Sequence, residues 1–132
     1  DAEEPLTYHV SQQHVSEGII RVTLTLRFKD GWHGYADIPA TETMGMIPTT
    51  VVIANKPEKG DKWILQGELT PPYVGSNPIL SGDVKYTQDV ACFTSIDKMP
   101  KPIELHFKIN YQACDAHRCL PPQEHEVIYM VK

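Results

Sequence analysis

Two stretches alternate apolar and polar residues with period two. From Ile19 to Phe28, the set Ile20, Val22, Leu24, Leu26 and Phe28 is interleaved with Arg21, Thr23, Thr25 and Arg27. The set Ile103, Leu105, Phe107, Ile109 and Tyr111 alternates in the same way with Glu104, His106, Lys108, Asn110 and Gln112. Successive side chains of a strand point to opposite faces, so each run reads as an antiparallel strand with one buried and one wet face. Shorter strand candidates are Thr7–Val10, Trp32–Ile38, Thr50–Ala54, Trp63–Leu69, Val84–Tyr86, Val90–Ser95 and Glu126–Val131. Between them lie turn clusters at 29–31, 55–61, 70–77, 97–102 and 120–122. Punctuation at this spacing, without a sustained helical period, predicts an all-β, immunoglobulin-like antiparallel β-sandwich.

Composition narrows the picture. The 132 residues include eleven prolines and eight glycines, and proline breaks helix interiors, which argues against a helical bundle. The length suits one domain, residues 1–132, with no repeat or interdomain linker. A net charge of −5 offers no basic face for nucleic acid. No apolar run is long enough to span a bilayer, so direct membrane insertion is not expected. The acidic start Asp1-Ala2-Glu3-Glu4-Pro5, without a charged-then-apolar leader, reads as a mature N-terminus or an excised domain.

Three cysteines make an odd count, and any one disulfide leaves a thiol over. Cys114 and Cys119 lie in Tyr111-Gln112-Ala113-Cys114-Asp115-Ala116-His117-Arg118-Cys119-Leu120-Pro121-Pro122. The preceding strand's parity, continued, puts Cys114 on the polar face. The four intervening residues allow a turn that brings the two cysteines opposite each other, within disulfide reach. Such a small loop stabilises by only about 2 kcal/mol, and exposed disulfides of this kind tend to be labile. Spacing alone leaves a structural staple and a redox pair both open. Arg118, and His117 when protonated, can stabilise a neighbouring thiolate, which Asp115 would oppose; equally, all three suit a polar turn.

The same segment admits a metal reading, with Cys114, His117, Cys119 and His125 as ligands, although the spacing is not that of a zinc finger. Met44 and Met46 are soft donors that more often fill core gaps. Cys92, in the apolar run Val90-Ala91-Cys92-Phe93, reads as an inert buried thiol. His9, His14, His106 and His125 read as solvated surface, and Trp63 as core.

The segment Tyr111-Gln112-Ala113-Cys114 … Cys119-Leu120-Pro121-Pro122 resembles the active-site segment of the N-terminal domain of the DsbD thiol:disulfide interchange family. Gly31-Trp32-His33-Gly34-Tyr35 is similar to that family's glycine-plus-aromatics segment, and Leu80-Ser81-Gly82-Asp83-Val84-Lys85-Tyr86 to the stretch after its active-site cap. The resemblance implies a bacterial periplasmic domain, soluble in itself and belonging to an inner-membrane system, that needs no cofactor. It would take electrons from the thioredoxin-like domain of the same membrane reductase system and pass them to oxidised periplasmic proteins, cytochrome c maturation factors among them. Cys119 would join to partners and Cys114 would resolve the mixed disulfide. His33 and Tyr35 fall where the family has tyrosines beside the site. Leu80 falls at the place of the aromatic residue that caps the disulfide. The turn between the cysteines is one residue shorter than in the best-known members. The alternatives are an exported binding module with a structural hairpin disulfide, or a metal-binding domain.

Overall fold

The computed structural model describes residues 4–71 and 77–132. The order is β1 (Leu6–Ser16), β2 (Ile19–Phe28), β3 (Gly34–Tyr35), α1 (Pro39–Thr43), β4 (Thr50–Ile53), β5 (Trp63–Thr70), β6 (Ile79–Leu80), β7 (Asp83–Cys92), a 3-10 turn (Ile96–Lys98), β8 (Ile103–Tyr111) and β9 (Gln123–Val131). A four-stranded sheet runs β1-β2-β7-β5 and a three-stranded sheet β4-β8-β9, while β3 and β6 pair separately. All pairings are antiparallel. This is the expected β-sandwich.

The two alternating runs build its centre. Ile20, Val22, Leu24, Leu26 and Phe28 of β2 are buried together with Ile103, Leu105, Phe107, Ile109 and Tyr111 of β8. Trp63 joins the same core. The intervening residues Arg21 and Arg27 face outward and pair bidentately across the strand boundary with Asp89 and Asp83. At the edge, Gln12 of β1 accepts from the Tyr129 hydroxyl at 2.7 Å and the Lys132 amide at 2.8 Å, tying β1 to the end of β9.

Several elements differ from the sequence expectation, each for a local reason. The expected strands Val84–Tyr86 and Val90–Ser95 are one strand, β7, because Gln88 occupies an inward position and is buried. Its amide donates to the Gln66, Gly67 and Asp89 carbonyls at 3.3, 3.0 and 2.9 Å, which a β5 irregularity between Gln66 and Thr70 brings within reach. Ser95 instead caps the 3-10 turn. Trp32–Ile38 is strand only at Gly34–Tyr35, since the Trp32 amide closes a turn on the Lys29 carbonyl and Pro39 opens α1. That five-residue helix is too short to leave a helical period in the sequence. β1 and β9 run longer than Thr7–Val10 and Glu126–Val131 because backbone pairing carries them through polar residues. Met44 is 51% exposed and fills no core gap. The 70–77 turn lies largely outside the described residues, although Thr70 closes β5.

Candidate functional site

The site forms where β8 runs out. Beyond Tyr111 the chain leaves β9, and Cys114 pairs with His33, each amide donating to the other's carbonyl at 2.9 Å. On its other side Cys114 faces Cys119 as an isolated antiparallel bridge. The hydrogen bonds here flank the cysteines: Leu120 N–H donates to the Ala113 carbonyl at 2.9 Å, and Asp115 N–H to the Arg118 carbonyl at 2.8 Å. Cys114 and Cys119 therefore occupy a non-hydrogen-bonded position, where side chains come closest. Their Cα atoms are 4.0 Å apart and their sulfurs are joined in a disulfide.

The two sulfur-bearing residues differ in exposure. Cys114 is 2% exposed, whereas Cys119 is exposed. This corrects the expectation that strand parity would leave Cys114 accessible. Parity itself holds, since Ala113 still points into the core cluster, but Cys114 itself is covered. The paired strand brings His33 alongside, and cross-strand partners share a face.

The same alternation sorts the remaining candidates. His33, Cys114 and Cys119 stand on one face, joined by Tyr35 two residues along the strand. The Tyr35 hydroxyl lies 3.0 Å from His33 Nε2, and the rings meet edge-on at 5.2 Å. Tyr35 and Cys114 are both buried, yet neither belongs to the central apolar cluster. Leu80 does belong to it, at 6% exposure. Its pairing opposite Gly34 sets it on the inward face, away from the sulfurs, while Ile79, opposite Tyr35 and 47% exposed, lies on the sulfur side. The residue aligned with the family's cap is thus part of the core cluster.

His117 and Arg118 form the exposed turn. Asp115 Oδ1 accepts from both of their amides at 2.8 Å. These two bonds, ahead of the nearby positive charges, hold the Asp115 carboxyl below its usual pKa. The Arg118 guanidinium carbon lies 5.5 Å from the Trp32 ring centroid, and Nε 3.7 Å from Asp115 Oδ2. Sequence reasoning missed the parts played by Trp32, Gly34 and Ile79. The only available signal was the alternation in Trp32-His33-Gly34-Tyr35, which separates an inward from an outward pair.

Of the other candidates, His125 is half-buried and stacks on Tyr111 at 5.6 Å, and His106 contacts Glu104 at 3.0 Å. His9 and His14 are exposed as expected. Among the described residues, no three or more His, Cys, Asp or Glu side chains are grouped to hold a metal ion. Nor is any described helix long and apolar enough to cross a membrane. Cys92 is a free thiol, half-buried rather than fully buried as expected.

No protein-family model matches the sequence, and no curated protein matches it. Solved structures are similar in fold. The GAE domain of yeast GGA1 superposes with a TM-score of 0.55 at 16% identity, over 100% of this chain and 96% of that one. The GAE domain of GGA2p from Saccharomyces cerevisiae gives 0.50 at 10% identity, over 100% and 94%. The N-terminal periplasmic domain of ScsB from Proteus mirabilis gives 0.52 at 12% identity; 96% of this chain is covered but only 46% of that one, so the likeness spans less than half of the ScsB structure. At these identities the likeness shows a shared β-sandwich, and the disulfide-bearing hairpin is the feature from which function has to be argued.

Proposed function

We propose that the domain is a thiol–disulfide exchange module in which Cys114 and Cys119 alternate between dithiol and disulfide. It receives two electrons from a thioredoxin-like domain of a membrane-embedded reductase and delivers them to oxidised proteins of the bacterial periplasm. The observation that carries this reading is the asymmetry of the pair, an exposed Cys119 bonded to a buried Cys114. A partner's sulfur reaches the first and not the second. The fold shared with a periplasmic domain of ScsB supports the compartment.

The chemistry follows from that asymmetry. In the dithiol form the Cys119 thiolate attacks one sulfur of a partner disulfide, forming a mixed disulfide and releasing the partner's other sulfur as a thiolate. Cys114, deprotonated, then attacks the Cys119 sulfur; the internal disulfide closes and the partner leaves with both sulfurs reduced. Two electrons and two protons have moved. The reverse sequence, starting with attack on Cys119 by a reduced thioredoxin-like domain, recharges the module. No cofactor enters either half.

The test is trapping. Cys114→Ala should accumulate mixed disulfides through Cys119 with a thioredoxin-like partner, and Cys119→Ala should form none. If Cys114→Ala traps nothing, and the wild-type pair proves more reducing than about −300 mV, the disulfide is a staple in a binding module instead.

A further inference from the structure

The four residues between the cysteines are folded by contacts that involve no sulfur. Asp115 closes the turn through three hydrogen bonds, two accepted by its carboxylate from the His117 and Arg118 amides and one donated by its own amide to the Arg118 carbonyl, all 2.8 Å long. Arg118 then lies over Trp32, whose ring is fixed in the core at 7% exposure. Arg118 precedes Cys119 in the return arm, so alternation directs its side chain to the opposite face from the sulfur. Its charge lies against the indole and Asp115.

We propose that Asp115, Arg118 and Trp32 form a strut that keeps the hairpin closed when the disulfide is reduced, and that Asp115 and Arg118 are thereby positioning residues for closure of the Cys114–Cys119 bond. The inference rests on the exchange reading of the same site. Two thiols on a floppy six-residue segment spend most of their time apart; held opposite each other, they present a high effective concentration. The strut exists before the bond forms, so the ordering cost of closure is already met. It favours the disulfide and makes the dithiol a stronger reductant.

The equilibrium is measured on the whole domain against glutathione. The dithiol and one glutathione disulfide give the internal disulfide and two glutathione thiols, so one S–S bond breaks, one forms, and two electrons and two protons pass to glutathione. Arg118→Ala and Asp115→Ala should each lower the oxidation constant about tenfold, a rise in potential of about 30 mV. Arg118→Lys, which keeps a cation over the indole, should recover part of the loss. The midpoint of Cys119 alkylation against pH, read by mass spectrometry on reduced protein, should not move in Arg118→Ala. An unchanged oxidation constant overturns the strut. So does a fall matched by an alkylation shift that accounts for it, because Arg118 would then act by charge on the thiolate. If the wild-type pair is too stable for glutathione, dithiothreitol replaces it; that result removes the exchange reading while the variants still report on the strut.

Discussion

His33 and Cys114 exchange both of their backbone hydrogen bonds at 2.9 Å, so the redox candidate is held by a segment some eighty residues earlier in the chain. That segment has little freedom. A Cβ placed on the next residue, Gly34, would meet Phe28 Cζ at 2.7 Å and Thr49 Oγ1 at 3.0 Å. Phe28 is locked in the core at 3% exposure and cannot yield cheaply. Gly34→Ala should therefore destabilise the domain by about 1–3 kcal/mol in denaturant melts. It should also displace β3, altering the oxidation constant of the cysteine pair. A variant with wild-type stability would show that β3 is not held as tightly as the packing implies.

Ile79 and Leu80 are adjacent, yet their substitutions should separate stability from accessibility. Leu80→Ala removes a core side chain and should cost about 2–5 kcal/mol. Ile79→Ala, at a residue 47% exposed, should cost well under 1 kcal/mol while speeding reduction of the disulfide by a small thiol. Stopped-flow reduction by dithiothreitol on both variants distinguishes them. Faster reduction in folded Leu80→Ala with no change in Ile79→Ala would restore Leu80 as the cap.

How much of this was legible beforehand depended on whether burial followed backbone alternation. The β2 and β8 runs were readable because each sends every second residue into one core. β7 was split in two by Gln88, whose burial depends on carbonyls that only an irregularity in β5 supplies. β6 has two residues, too few for any period to register. The cysteine spacing gave the hairpin correctly. It did not give the burial of Cys114, which pairs with His33 far away in the chain, a pairing that no local pattern encodes. Leu80 shows a related limit: matching a segment to a family fixes its position in the chain, while the pairing Gly34 to Leu80 fixes its face.

The turn between the cysteines should loosen in acid. The Asp115 carboxyl is held below its ordinary value by the His117 and Arg118 amides. A group whose folded pKa is depressed contributes stability that is fully present above the unfolded value, about 3.9, and is lost as pH falls through the folded value. The amide shifts of His117 and Arg118 should then titrate together with a midpoint below about 3.9, and Asp115→Asn should flatten both curves. A midpoint at or above the ordinary carboxylate value would mean that these hydrogen bonds are not held in solution.

Cys92 should take no part in exchange. Burial raises its thiol pKa, which lowers the thiolate fraction available for attack. Distance acts in the same direction. The Cys92 amide bonds to the Gly18 carbonyl beside the start of β2, whereas Phe28, at the other end, packs beside Gly34 near the disulfide. A strand of this length spans about 30 Å at roughly 3.4 Å per residue, far beyond disulfide reach. In reduced protein, iodoacetamide at neutral pH should modify Cys119 well before Cys92. Cys92→Ser should leave the oxidation constant of the Cys114–Cys119 pair within twofold of wild type. A Cys92 cross-link to either partner, recovered by peptide mapping from folded protein, would contradict both the distance and the burial.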